Sequence, residues 1–183
     1  MLKRALIITV FFCLLGCQAP IQEPFQFTDF RNETPITIPV ADIQVINQTV
    51  RYTELPHLET RIPVTPVYAL SSALKNRFAP QKKLSNTGVT FTIKTADLIQ
   101  KKQEAPHWYI LDNIEYFLEY QIEVTYSKAG SAIETQNISG WEKQAIPKRS
   151  SLREKEEVWQ KMINAMIQKT TDKIQADMPP ASF

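Results

Sequence analysis

The residues from Ile114 to Tyr126 constrain the fold more than any other part of the chain. Ile114, Tyr116, Leu118, Tyr120, Ile122, Val124 and Tyr126 occupy alternate positions, with Glu115, Glu119, Gln121, Glu123 and Thr125 between them. Successive side chains of an extended strand point to opposite faces, so this order gives one apolar and one polar face. A helix would scatter both sets around its circumference. The pattern predicts a long antiparallel strand with one face on a core and the other in water. Glu115, Glu119 and Glu123 then lie about 13 Å each from the next along the strand, too far to share a cation or act as an acid–base pair. They read as a solvated face.

The neighbouring segments fit this strand into a sheet. Lys128-Ala129-Gly130-Ser131 reads as a hairpin turn, returning a strand over 132–145 with weaker alternation. Val89, Phe91 and Ile93 alternate with polar residues over 89–94. The β-branched run Ile38 to Val50 reads as a first strand. Thr65 before Pro66 is a good helix start. The helix it opens places Val67, Leu70, Leu74 and Phe78 on one face, and Pro80 ends it. Ser151-Leu-Arg-Glu154 is a capping box before a long helix with the apolar stripe Leu152, Trp159, Met162, Ile163, Met166, Ile167 and Ile174, stopped by Pro179-Pro180. The order is β-α-β-β-β-α. It predicts an α+β fold, a four-stranded mostly antiparallel sheet with two helices on one face.

The start of the chain carries an address. Lys3 and Arg4 precede the apolar run Ala5 to Leu15, which closes on Leu14-Leu15-Gly16-Cys17. That is the layout of a secretory signal peptide, and it is too short to span a bilayer. Its ending resembles the lipobox of bacterial lipoproteins, which implies cleavage between Gly16 and Cys17 and a covalent lipid on Cys17. Gln18 is not the aspartate associated with inner-membrane retention, so the resemblance favours the outer membrane, facing the periplasm. The organisation expected is a leader over 1–16, a lipid-anchored tether over 17–37, one domain over 38–178 and a tail over 179–183. Phe25, Phe27 and Phe30 interrupt the tether, either packing on the domain or its edge as a short strand, or docking on a partner.

Processing also alters the charge and the available chemistry. The chain has 21 basic and 19 acidic residues, and loss of Lys3 and Arg4 equalises them. A neutral mature protein has no basic footprint for nucleic acid. Cys13 leaves with the leader and Cys17 carries lipid, so no thiol remains for disulfides or metal ligation. His57 and His107 lack a local partner at metal-ligand spacing. With four glycines the chain shows no phosphate-cradling loop and no nucleophile elbow. The sequence therefore predicts no catalytic residue, no metal and no cofactor beyond the covalent lipid.

Three segments carry a family resemblance. Val40-Ala-Asp-Ile-Gln-Val45, the loop Pro56-His-Leu-Glu59 running to Pro63-Val-Thr-Pro66, and Val89-Thr-Phe-Thr-Ile-Lys-Thr-Ala-Asp97 resemble a family of uncharacterised proteobacterial lipoproteins. The similarity covers roughly residues 38 to 178, and the proline loop is its most specific part. This chain departs from the family at Tyr52-Thr-Glu-Leu55, where the loop is usually richer in proline. The architecture is also similar to auxiliary lipoproteins of envelope transport systems, such as the small partner of the lipopolysaccharide translocon. Fold does not fix function, and the resemblance supplies no functional residue to carry over.

Two segments remain as candidate partner-binding surfaces. In the loop Tyr52 to Pro66, prolines lower the entropy cost of presenting Leu55, His57, Leu58, Arg61 and Ile62. In the segment Lys101 to Asp112, Trp108 and Tyr109 are residue types common in binding hot spots. Each set has a packed alternative: a well-filled crossover for the first, the start of the next strand for the second. The expectation is a non-enzymatic accessory or binding component of an envelope assembly or transport complex. It would reach the membrane through its lipid and hold an envelope protein partner. An envelope enzyme assembled from distant residues, or a purely structural outer-membrane lipoprotein, are the alternatives.

Overall fold

The computed structural model describes residues 25–81, 86–103 and 112–178. In chain order the elements are β1 (Ile36–Ile38), β2 (Asp42–Asn47), α1 (Pro66–Arg77), β3 (Phe78–Pro80), β4 (Thr87–Gln103), β5 (Asn113–Lys128), β6 (Ser131–Pro147) and α2 (Leu152–Ala176). Four strands form one sheet in the spatial order β2-β4-β5-β6, and β1 pairs with β3 in a short parallel ribbon. β2 is parallel to β4; the other two junctions of the main sheet are antiparallel. A parallel pair needs a crossover connection, and α1 supplies it. The α+β class and the order of the main elements are those the sequence predicts.

Both helices start as their sequences dictate. Thr65 Oγ1 accepts the backbone N–H of Tyr68, with Pro66 in the first turn. Ser151 Oγ accepts the N–H of Glu154, whose carboxylate accepts the N–H of Ser151 in return. The inward residues of β5, from Ile114 to Tyr126, are all buried. Trp159 of α2 meets Tyr116 edge-on at 5.6 Å between ring centroids, and Phe78 packs on Phe91 at 5.5 Å. Glu119 and Gln121, on the other face of β5, are exposed. The helices therefore cover one face, and the second face lies open.

Four details depart from the sequence reading. The run Ile38–Val50 is not one strand: Val40 N–H donates to Ile38 O at 2.8 Å around Pro39, and this tight turn separates β1 from β2. Phe78 is not helical. It lies in β3 as the first residue after α1, where its side chain is still buried. β4 runs well beyond Lys94, to Gln103, with a bulge between Ile93 and Thr95. Inward positions are odd before the bulge (Val89, Phe91, Ile93) and even after it (Ala96, Leu98), so simple alternation fails there. Leu152 does not join the stripe of α2 but stands exposed at its first position.

The segment expected as tether is bound from Phe25 onward. Thr28 N–H donates to Asn164 Oδ1 of α2 at 2.8 Å, and Asn76 Nδ2 of α1 donates to Asp29 O at 2.9 Å. Phe25 and Phe27 are half-buried against the core, Phe30 is buried, and the Arg77 guanidinium lies 4.7 Å over the Phe30 ring. Of the two readings of these phenylalanines, packing on the domain is the one realised.

Candidate interaction surfaces

The loop between β2 and α1 takes over the edge of β4 where β2 ends. β2 pairs with β4 as far as Asn47 opposite Ile93. Beyond it, Leu58 N–H donates to Leu98 O at 2.9 Å, Gln100 N–H donates to Pro56 O at 2.7 Å, and His57 bridges Ile99. The Leu55–Pro56 peptide is cis. Leu58 and Ile62 are buried and belong to the core, which corrects their reading as contact residues. Leu55 and Arg61 remain exposed. His57 is not a free loop residue: its Nδ1 lies 2.5 Å from Asp97 Oδ2, and its ring stacks on Tyr52 at 3.9 Å between centroids. The two partners are 40 residues apart, so no local spacing could reveal them. The other Asp97 oxygen is buried and has no hydrogen-bond partner. Gly16, Cys17, His107, Trp108 and Tyr109 lie outside the described residues.

Beside this loop, Asn47, Thr49, Arg51 and Glu59 face Thr65 and Tyr68 across an open groove of about 420 Å³. Glu59 Oε2 accepts the Tyr52 N–H at 3.0 Å, a bond within the loop.

The second surface is one that the sequence reading did not single out. On the open sheet face, Trp141 lies directly opposite Glu119 and stacks on Phe117 with ring centroids 5.8 Å apart. Trp141 is 61% exposed. Lys101 Nζ lies 5.6 Å from the Phe117 ring centre on the other side. The weak alternation of the β6 sequence hid this residue, and so did the register shift between Tyr126 and Ser127: the pairing set by the hairpin turn alone would place Trp141 opposite the inward Leu118. Among the described residues β6 is the outermost strand of the sheet, and no described strand lies beside its far edge. An edge of this kind is a template for another extended chain.

Of the β5 carboxylates read as a solvated face, Glu119 is exposed and the other two are ion-paired across strands. Glu115 pairs with Lys143 at 2.7 Å and Glu123 with Lys94 at 3.4 Å. Among the described residues no three His, Cys, Asp or Glu side chains come together in a way that could hold a metal ion. On the helix side, burial raises the pKa of Tyr116 and Tyr120, and Glu142 adds to the effect on Tyr120. Burial, with the nearby Glu134 and Asp177, pushes the Tyr126 hydroxyl up to about 12. These tyrosines are core residues whose hydroxyls stay protonated at neutral pH.

By sequence, the chain matches no protein-family model and no curated protein. By structure, it is similar to a minor lipoprotein from Acinetobacter baumannii, at 11% identity and a TM-score of 0.43 over 76% of this chain and 94% of that one. It is also similar to the rare lipoprotein B from Shewanella oneidensis, at 17% identity and a TM-score of 0.40 over 74% and 94%. An uncharacterized lipoprotein B from Nitrosomonas europaea aligns at 11% identity and a TM-score of 0.37 over 79% and 93%. Every identity and TM-score is low, so the functional reading below rests on this chain's own residues.

Proposed function

We propose that this chain is a lipid-anchored lipoprotein of the bacterial cell envelope that acts as a non-enzymatic binding component of an assembly or transport complex, at the periplasmic side of the outer membrane. The leader ending in Leu14-Leu15-Gly16-Cys17 supports the anchor. The observation that carries the binding role is Trp141, a large aromatic stacked on Phe117 on a sheet face that no other described element covers, next to the β6 edge, which no described strand pairs. Rigid aromatic residues backed by packing are the usual anchors of protein interfaces. Mass spectrometry of the processed N-terminus tests the lipid on Cys17. Purification in mild detergent, with wild type beside Trp141→Ala, tests the partner. A co-purifying envelope protein lost in the variant supports the proposal, and a clean monomer in both preparations refutes it.

The His57–Asp97 pair favours a second reading, an envelope enzyme using His57 as a base oriented by a carboxylate. Under the binding reading, His57→Ala leaves the native phenotype intact at temperatures where the variant is folded. Loss of function in a folded His57→Ala protein would favour the enzyme.

A further inference from the structure

We infer that the flank of the domain formed by the β2–α1 crossover and the start of α1 is apposed to the phospholipid headgroups, leaving the β6 edge and Trp141 turned away from the membrane. This rests on the lipid anchor at Cys17 proposed above. The first support is the path of the N-terminal segment. Phe30 sits by Arg77 at the end of α1, whereas Phe27 meets Tyr68 in its first turn at 6.0 Å between rings. From Phe30 to Phe27 the segment therefore runs back along α1 toward the helix start, beside the groove of Asn47, Arg51 and Tyr68. From Cys17 to Phe25 there are only about eight residues, a reach of at most ~28 Å. A leash of that length keeps its exit point close to the bilayer. To bring Trp141 to the lipid it would have to pass around both the helix layer and the width of the sheet, since β2 and β6 are opposite edges.

The second support is the chemistry of the flank. Val50, Tyr52, Leu55 and Tyr68 are 65%, 41%, 52% and 60% exposed, and they make up half of the large apolar side chains exposed on the described surface. Apolar residues with tyrosines, whose amphipathic rings suit the headgroup region, are what an interfacial surface carries. Arg51 and Arg61 are offset by Glu54 and Glu59 in the same loop, so the contact depends on the apolar groups and not on anionic lipid.

Depth-dependent quenching tests this. The mature full-length protein, acylated on Cys17, has no other thiol, so single cysteines at Val50, Leu55, Glu119 or Ser139 can carry an environment-sensitive fluorophore. The labelled proteins are reconstituted on vesicles of phosphatidylethanolamine and phosphatidylglycerol containing a headgroup nitroxide lipid. The expected result is loss of fluorescence at Val50→Cys and Leu55→Cys, with little loss at Glu119→Cys and Ser139→Cys, unchanged when phosphatidylglycerol is omitted. Uniform quenching, no quenching, or stronger quenching at Glu119→Cys or Ser139→Cys in an acylated, vesicle-bound protein overturns this inference alone. A chain that is not acylated at Cys17 overturns the lipoprotein reading and this inference with it.

Discussion

Removing His57 tests how the crossover loop is held to the sheet. Its Nδ1 is the partner of Asp97 Oδ2, and Asp97 Oδ1 is already buried without one. The His57 and Asp97 side chains are only 24% and 16% exposed, so solvent does little to replace the bond. His57→Ala strands a carboxyl group with neither oxygen bonded within the protein, at a cost of about 1.5–3 kcal/mol. Loss of the stack on Tyr52 adds at most about 1 kcal/mol, since Tyr52 is itself partly exposed. The expected total of about 3 kcal/mol lowers the melting temperature by roughly 6–12 °C for a domain of this size. Asp97→Ala removes the stranded group, so the double variant should be more stable than the sum of the single losses by about 1–2 kcal/mol. Chemical denaturation followed by circular dichroism on the four proteins gives this cycle. Strict additivity, or a His57→Ala protein as stable as wild type, would refute the view that the pair fastens the loop.

Three further outcomes follow from the core. A Cβ on Gly140 would lie 2.5 Å from Tyr120 Cζ and nearer still to the hydroxyl, so Gly140→Ala should destabilise the domain by about 1–3 kcal/mol, and Tyr120→Leu should relieve part of that loss. Denaturation curves of the single and double variants decide it. The Tyr116 hydroxyl is buried with no hydrogen bond of good geometry, so Tyr116→Phe should leave the melting temperature unchanged or raised; a large drop would show a missed partner. A buried tyrosine with a raised folded pKa contributes stability that is complete below the unfolded value of about 10 and is lost as pH climbs through the folded value. Tyr126, at about 12 in the folded protein, should therefore make stability fall between pH 10 and 12, and Tyr126→Phe should flatten that fall in an alkaline unfolding series.

Much of the fold was legible because period and boundary signals agreed. The alternation of Ile114 to Tyr126, the cap at Thr65 and the box at Ser151 and Glu154 each depend on residues close in sequence. What was not legible depends on residues far apart. The bulge at Lys94 switches the inward positions of β4 from odd to even and conceals the second half of the strand. His57 finds Asp97, and Thr28 finds Asn164, across separations that no local pattern encodes. Prolines gave the crossover the look of a presented loop, but buried Leu58 and Ile62 show that half of it is core. Trp141 became visible as a surface feature only once β6 was placed beside β5 and outermost.

The clasp of residues 25–35 over the two helices also defines a load path. With the N-terminus anchored and a partner held on the far edge of the sheet, as proposed above, tension between them would meet the clasp first. Its hydrogen bonds to Asn164 and Asn76 and its phenylalanine contacts lie in series along the chain, so they release one after another. The β1–β3 ribbon stays unloaded until the pull reaches Ile36, and the four-stranded ladder behind it until the pull reaches β2. Each released residue lengthens the leash by about 3.3 Å, so peeling to β1 adds roughly 35 Å of slack with the sheet intact. The same segment that seats the domain when relaxed acts as its extensible cord under strain.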